Sequence, residues 1–265
     1  MTGELVQYEV DGGVAILTLN NPPANAYSYE MMRALDEAVL RARFDDAVHV
    51  LVLTGAGDRF FCAGADIAML SRAQPSFKYN FCLHANETLL RLEHTPKLCI
   101  AMINGHCVGG GLEIALAADL RLAPRGAAFK IGLPEVALGV LPGTGGTQRL
   151  ARLVGKSRAI ELMARGTNLG VQEALEAGLL TELVDTSSRP FREMVLEYAR
   201  SFCPPARASL AVGRIKRAVQ TGWEIPLESG LALERELQQQ LFLSEDAREG
   251  LTAYLEKRSP RFSGR

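Results

Sequence analysis

Apolar residues fall into two kinds of run along this chain. In the first half, short unbroken stretches recur: VAILTL at 14–19, VHVLVLT at 48–54 and LCIAMI at 98–103. Runs of that length, bounded by Gly, Pro or Asn, predict strands covered on both faces. Between them the spacing turns helical. Met31, Leu35, Ala38 and Val39 share one face of a helix predicted over 31–43, and a second helix is predicted over 77–92. NNPPANA at 20–26, Gly55 with Gly57, and Asn104-Gly105 mark the breaks. A helix is expected over 112–120, directly after Gly109-Gly110-Gly111, then short strands at 120–123 and 128–131. Beyond Pro142 the spacing is helical almost to the end, over 147–154, 157–164, 171–177, 191–202, 205–220, 227–243 and 246–257.

Strand and helix alternate first, and a helical tail follows. That order predicts an α/β core with parallel strands and a helical appendage. The chain has 265 residues, 48% hydrophobic and 22% charged, with 29 Lys and Arg against 30 Asp and Glu. This composition excludes a disordered chain, and near-neutrality argues against nucleic-acid binding through global charge. No apolar run approaches the roughly 18 residues of a membrane span. The first ten residues, MTGELVQYEV, have neither the basic nor the apolar region of a targeting segment. Five scattered cysteines without a C-x-x-C suggest reduced thiols, so the expected setting is cytoplasmic. The four histidines have no ligand spacing, and no metal is expected.

Several motifs fail on inspection. Gly155-Lys156-Ser157 ends like a phosphate loop, but the required first glycine is Leu150. Gly143-Thr144-Gly145-Gly146 begins like a dinucleotide fingerprint, but the third glycine position is Gln148. No G-x-S-x-G elbow exists.

The chemistry concentrates between 98 and 148. A buried strand ends in a turn, and three glycines open a helix whose first N–H groups lack partners. Glycine lets a substrate approach those groups, which is one way to build half of an oxyanion hole. The alternative is that the glycines only permit tight helix–strand packing. Glu113 stands just inside this helix and Glu135 follows in GLPE, both in apolar surroundings. A carboxylate so placed is expensive to bury and tends toward a raised pKa, which suits acid–base chemistry. Equally open are structural roles: Glu113 as a cap of its own helix, Glu135 as partner of Arg149. Upstream, RFFCAGADI at 59–67 follows the second strand. Its Ala65 N–H would supply a second donor, and Asp66 is a candidate helix N-cap.

Taken together, these segments resemble the enoyl-CoA hydratase/isomerase, or crotonase, family. The resemblance rests on FCAGADI at 61–67, INGHCVGGGLEIALAADLRLA at 103–123, GLPEVALGVLPGTGGTQRLARLVG at 132–155 and EGLTAYLEKRSPRF at 249–262, and it runs end to end. It implies a crotonase-like α/β spiral of ββα units over 1–200 and a C-terminal helical trimerisation region over 201–265. It implies a homotrimer or homohexamer acting on an acyl-CoA thioester, with no separate cofactor and no metal, nucleic-acid or membrane partner. By the same resemblance Ala65 and Gly110 form the oxyanion hole, and Glu113 and Glu135 are the catalytic pair. Coenzyme A would lie along Ala63, Asp66 and Ile67, with Tyr254 and Lys257 reaching it, often from a neighbouring subunit; an ordinary amphipathic last helix explains these two residues equally well. The pair of glutamates points to hydration of a trans-2-enoyl-CoA to a 3-hydroxyacyl-CoA. A Δ3,Δ2-isomerase or a specialised acyl-CoA lyase is the alternative. Departures from the family pattern fall at His106, Cys107 and Tyr27. The acyl end is expected to be shaped by Met69, Leu70 and residues 77–83.

Overall fold

The computed structural model describes residues 4–265. β1 (Val6–Asp11) and β2 (Val14–Leu19) form an antiparallel hairpin with Val6 opposite Leu19. Helix α1 (Tyr29–Phe44) is N-capped by the Ser28 hydroxyl and leads to β3 (Val50–Gly55), which runs parallel to β2. The chain then repeats one unit: a strand in a large sheet, a strand in a small sheet, a helix. The first pass is β3, β4 (Phe60–Cys62), α2 (Ile67–Arg72) and α3 (Pro75–Glu93). The second is β5 (Leu98–Met102), β6 (His106–Val108) and α4 (Gly110–Leu116). The third is β7 (Leu120–Pro124), β8 (Ile131–Gly132), a 3-10 turn at Glu135–Leu138 and α5 (Gly146–Val154). There follow α6 (Lys156–Arg165), β9 (Asn168–Leu169), α7 (Val171–Glu176), β10 (Glu182–Val184) and α8 (Phe191–Arg200). The last helices are α9 (Ser209–Gly222), α10 (Leu227–Phe242) and α11 (Glu245–Glu256).

The large sheet has six strands in the order β1-β2-β3-β5-β7-β10, parallel except for β1. The small sheet has the order β4-β6-β8-β9, with β9 antiparallel. The unbroken apolar runs follow from burial on both faces. Val14, Ile16, Val50, Val52, Ile100 and Met102 face Val195 and Ala199 of α8. Their strand neighbours Ala15, Leu17, Leu51, Leu53, Cys99 and Ala101 face the main core with α1, α3 and α4. The parallel core expected from the pattern and the spiral of ββα units implied by the resemblance are both present.

The structure also departs from the predicted elements. β4 and β6 were not expected, and neither were β9 and β10 within the helical tail; β10 extends the large sheet beside β7. The helix after the glycines starts at Gly110 and stops at Leu116. It stops because Asp119 turns back to accept from Cys99 N–H at 2.7 Å, and Leu120 already pairs with Ile100.

A groove of about 730 Å³ lies between α9 and residues 116–121. Its charged groups already have partners: Lys216 with Asp119 at 2.9 Å, Arg149 with Glu93, Arg152 with Glu224, and Arg121 with the carbonyls of Leu179 and Ala118. Ile215 and Val219 of α9, Trp223 just after it and Leu227 at the start of α10 are exposed.

Candidate active site

A smaller cavity of about 300 Å³ opens where successive turns of the spiral meet. Three segments build it, and each leaves the small sheet near that cavity. The first is the loop after β4. Gly64 there has φ 91°, a left-handed conformation that a side chain disfavours. A Cβ on Gly64 would lie 3.0 Å from Gly110 N, so this loop rides directly on the start of α4. Ala63, Ala65 and Ile67 line the cavity, whereas the Asp66 carboxylate turns away to cap α2, accepting from Ala68 N–H and Met69 N–H. The expected N-cap is therefore present.

The second segment is the glycine triplet. Gly109 lines the cavity and Gly110 is buried beside it. Neither Ala65 nor Gly110 has an acceptor for its backbone N–H among the described residues, so both donors of the expected hole are uncommitted.

The third segment, after β8, supplies Glu135 and the N–H groups that hold Glu113 of α4. Glu113 is 2% exposed, yet it does not cap its own helix. Its Oε1 accepts from Thr144 N–H at 2.7 Å and from Gly146 N–H at 2.6 Å. The GTGG segment that fails as a nucleotide motif thus forms a cradle for a buried carboxylate. A Cβ on Gly146 would come within 2.9 Å of Glu113 Oε1, so only a bare backbone approaches this closely. Burial raises the Glu113 pKa, and the two N–H groups and the Arg149 guanidinium oppose that rise.

Glu135 opens the 3-10 turn and faces the same cavity. A Cβ on Gly109 would lie 3.0 Å from Glu135 Oε1, which places this carboxyl over the glycine triplet. It makes no ion pair with Arg149, which is held by both oxygens of Glu93 at 2.7 and 2.6 Å. Its Oε2 is buried without a hydrogen-bond partner. Burial, reinforced by the Glu113 charge, pushes its pKa up to about 7. The two carboxyls therefore share one cavity in which burial raises both, but only Glu113 is compensated by donors. One is held by donors that favour its ionised form, and the other is left to its proton.

The rest of the wall is mostly apolar. Leu70 and residues of the 77–83 region, namely Phe81, Cys82 and Lys78, line it as expected, while Met69 packs into the core instead. Tyr27, one of the departures from the family pattern, is 3% exposed and also lines the cavity. Tyr254 and Lys257 are not brought to the cavity within one chain; both lie exposed at the end of α11. Among the described residues, no group of three or more His, Cys, Asp or Glu side chains converges on a metal position. Likewise no helix is long and apolar enough to cross a membrane.

A sequence profile described as enoyl-CoA hydratase/isomerase matches residues 9–265. The chain is 37% identical to a short-chain-enoyl-CoA hydratase of Clostridium acetobutylicum, covering 94% of each chain. It is 38% identical to a 2,3-dehydroadipyl-CoA hydratase of Escherichia coli K12, covering 95% of this chain and 96% of that one. A crystal structure described as an enoyl-CoA hydratase from Geobacillus kaustophilus HTA426 superposes with a TM-score of 0.95 at 44% identity, covering 100% of this chain and 98% of that one.

Proposed function

The chain belongs to the enoyl-CoA hydratase/isomerase family, and we propose that it adds water across the double bond of a trans-2-enoyl-CoA to give a 3-hydroxyacyl-CoA. The observation that carries this reading is the pair of carboxyls on one cavity, with Glu113 held by two N–H groups and Glu135 bearing a partnerless, desolvated oxygen. Addition of water needs a base and an acid together, and this asymmetry supplies one of each.

The steps balance as follows. Glu113 takes a proton from water, whose oxygen bonds to the β-carbon. The π electrons of the double bond move onto the thioester oxygen, which accepts from Ala65 N–H and Gly110 N–H. The enolate then collapses and its α-carbon takes the proton from Glu135. Along the path Glu113 becomes neutral, the thioester oxygen carries negative charge transiently and Glu135 ends ionised; return of the proton from Glu113 to Glu135 restores the site. The charge on the oxygen exists only between substrate and product, so the two N–H donors act on the transition state more than on the substrate. Coenzyme A runs along Ala63, Asp66 and Ile67 in this reading. The apolar wall of Leu70, Phe81, Leu138 and Leu141 takes the hydrocarbon part of the acyl group.

Loss of the ultraviolet absorbance of the conjugated thioester, with crotonyl-CoA and a longer 2-enoyl-CoA, tests the reaction. Glu113→Gln and Glu135→Gln should each lower kcat by about 10²–10⁴ while the fold and CoA-thioester binding persist. An unchanged rate in Glu135→Gln removes that residue from the mechanism. The near-neutral, partnerless Glu135 also suits a shuttle moving one proton between two carbons. A protein that binds CoA thioesters, hydrates none and converts a 3-enoyl-CoA is therefore an isomerase.

We further propose that the helices of the 201–265 region join three copies, or two sets of three, in the cytoplasm around a core formed by 1–200. The exposed apolar residues of α9 and α10 support this, as does the distance of Tyr254 and Lys257 from the cavity of their own chain. In such an assembly those two residues serve a neighbour's coenzyme A.

A further inference from the structure

We propose that Tyr27 is a positioning residue of this site, one side chain and one backbone unit that together set the spacing between the oxyanion donors and Glu113. The proposal rests on the hydratase reading for its kinetic test, and on geometry alone for its spectroscopic one.

Tyr27 touches all three segments of the cavity. Its backbone forms an isolated parallel bridge with Ala65: Tyr27 N–H donates to Gly64 O at 2.9 Å, and Asp66 N–H donates to Tyr27 O at 2.9 Å. The two bonds clamp the residues on either side of Ala65 and leave the Ala65 N–H uncommitted. The phenol then passes over the start of α4. A Cβ on Gly110 would lie 2.3 Å from Tyr27 Oη, so the ring occupies the space above that bare Cα. Beyond it, Tyr27 Oη bonds Thr144 Oγ1 at 3.0 Å, and Thr144 N–H holds Glu113 Oε1 at 2.7 Å. Phe81 stays against the ring with centroids 5.9 Å apart and fixes its tilt.

The two hydroxyls share one hydrogen bond in which either can donate, and the Thr144 backbone N–H carries the contact on to Glu113 Oε1. Burial and the neighbouring Glu113 charge raise the Tyr27 pKa well above its usual value, so the phenol keeps its proton. The groups facing Glu113 are Tyr27, Cys82 on α3, Glu135 on the 3-10 turn and Arg149 on α5. Of these, Tyr27 reaches it by a relay through the Thr144 hydroxyl and then the Thr144 backbone N–H.

Tyr27→Phe removes one oxygen and nothing else. We expect kcat to fall about tenfold, with KM within roughly twofold, because the lost bond supports the base and not the substrate. Glu113 must be ionised to act, and the variant weakens support for its anion. The acid limb of the pH–rate profile should therefore move upward by roughly half to one pH unit. Thr144→Val should shift the limb the same way, the double variant no further, and Thr144→Ser should restore it. Tyr29→Phe, whose ring lies against Phe77 and His84 outside the cavity, should leave rate and limb unchanged. A Tyr27→Phe protein with the original rate and limb overturns the proposal. So does one that is slower or less stable with an unmoved limb, since that marks a merely structural side chain. Carbon-13 NMR of the labelled Glu113 carboxyl reads the same titration without turnover. If the wild type hydrates nothing, the hydratase reading fails, yet a raised Glu113 pKa in Tyr27→Phe still supports the relay and an unchanged one refutes it.

Discussion

At the scale of single residues, Glu135 is the group whose burial has the plainest consequences. An ordinary glutamate loses its proton near 4.5, but here burial and the Glu113 charge hold it until about 7. As an acid it works only while protonated, so the hydration rate should fall as pH rises through about 7. The same shift acts on folding. Between 4.5 and about 7 the folded protein keeps a proton that the unfolded chain has released, so stability declines as pH rises across that window. Below it both states hold the proton and the residue is neutral in this respect. Glu135→Gln removes the titration. Its melting temperature should exceed the wild type's at about pH 8, and the difference should close at about pH 4. An equal difference at both values would mean that the gain comes from packing and not from the buried charge.

At the scale of elements, the site depends on how closely α4 lies on β4. A Cβ on Gly111 would sit 2.0 Å from Cys62 O, in the backbone and not in a side chain that could turn aside. Gly111→Ala should therefore push the helix off the strand and lower stability by about 1–3 kcal/mol, read from the urea midpoint. Activity should fall with it, because the helix carries both Gly110 and Glu113. The larger strands and helices were legible in the sequence for a physical reason. Strands buried on both faces appear as unbroken apolar runs, so β2, β3 and β5 were found close to their ends. The small sheet was not legible, because FFC and HCV are three residues each and carry no period. β1 was missed because an edge strand with one buried residue reads as polar. Within the site, Glu113 and Glu135 stood out as carboxylates in apolar segments. What holds Glu113 did not, since its donors are backbone N–H groups 31 and 33 residues away and no side chain announces them. Tyr27 stood out only as a departure from the family pattern, and its hydroxyl meets Thr144 across 117 residues of chain, a contact that only the fold creates.

At the scale of the whole molecule, the exposed face of α9 is a feature without a partner among the described residues. Val219 and Trp223 are 67% and 76% exposed, beside a groove that α9 lines. Contiguous apolar surface of this kind marks an association face. Sedimentation of the wild type should give a trimer or hexamer, and Val219→Arg should shift it to the monomer. If Lys257 serves a neighbour's coenzyme A, the monomer should also bind CoA thioesters more weakly, although its own cavity is intact. A monomeric wild type would overturn both expectations. The cradle of Glu113 carries a different consequence, one of time. During synthesis the ribosome delivers this carboxylate well before Thr144 and Gly146, the two residues that make its burial tolerable. Until they emerge, α4 cannot close against the core without stranding a charge. Amides of 112–115 should therefore gain protection from solvent exchange only with those of the 143–146 turn, so the reactive centre stays wet until that turn has left the ribosome.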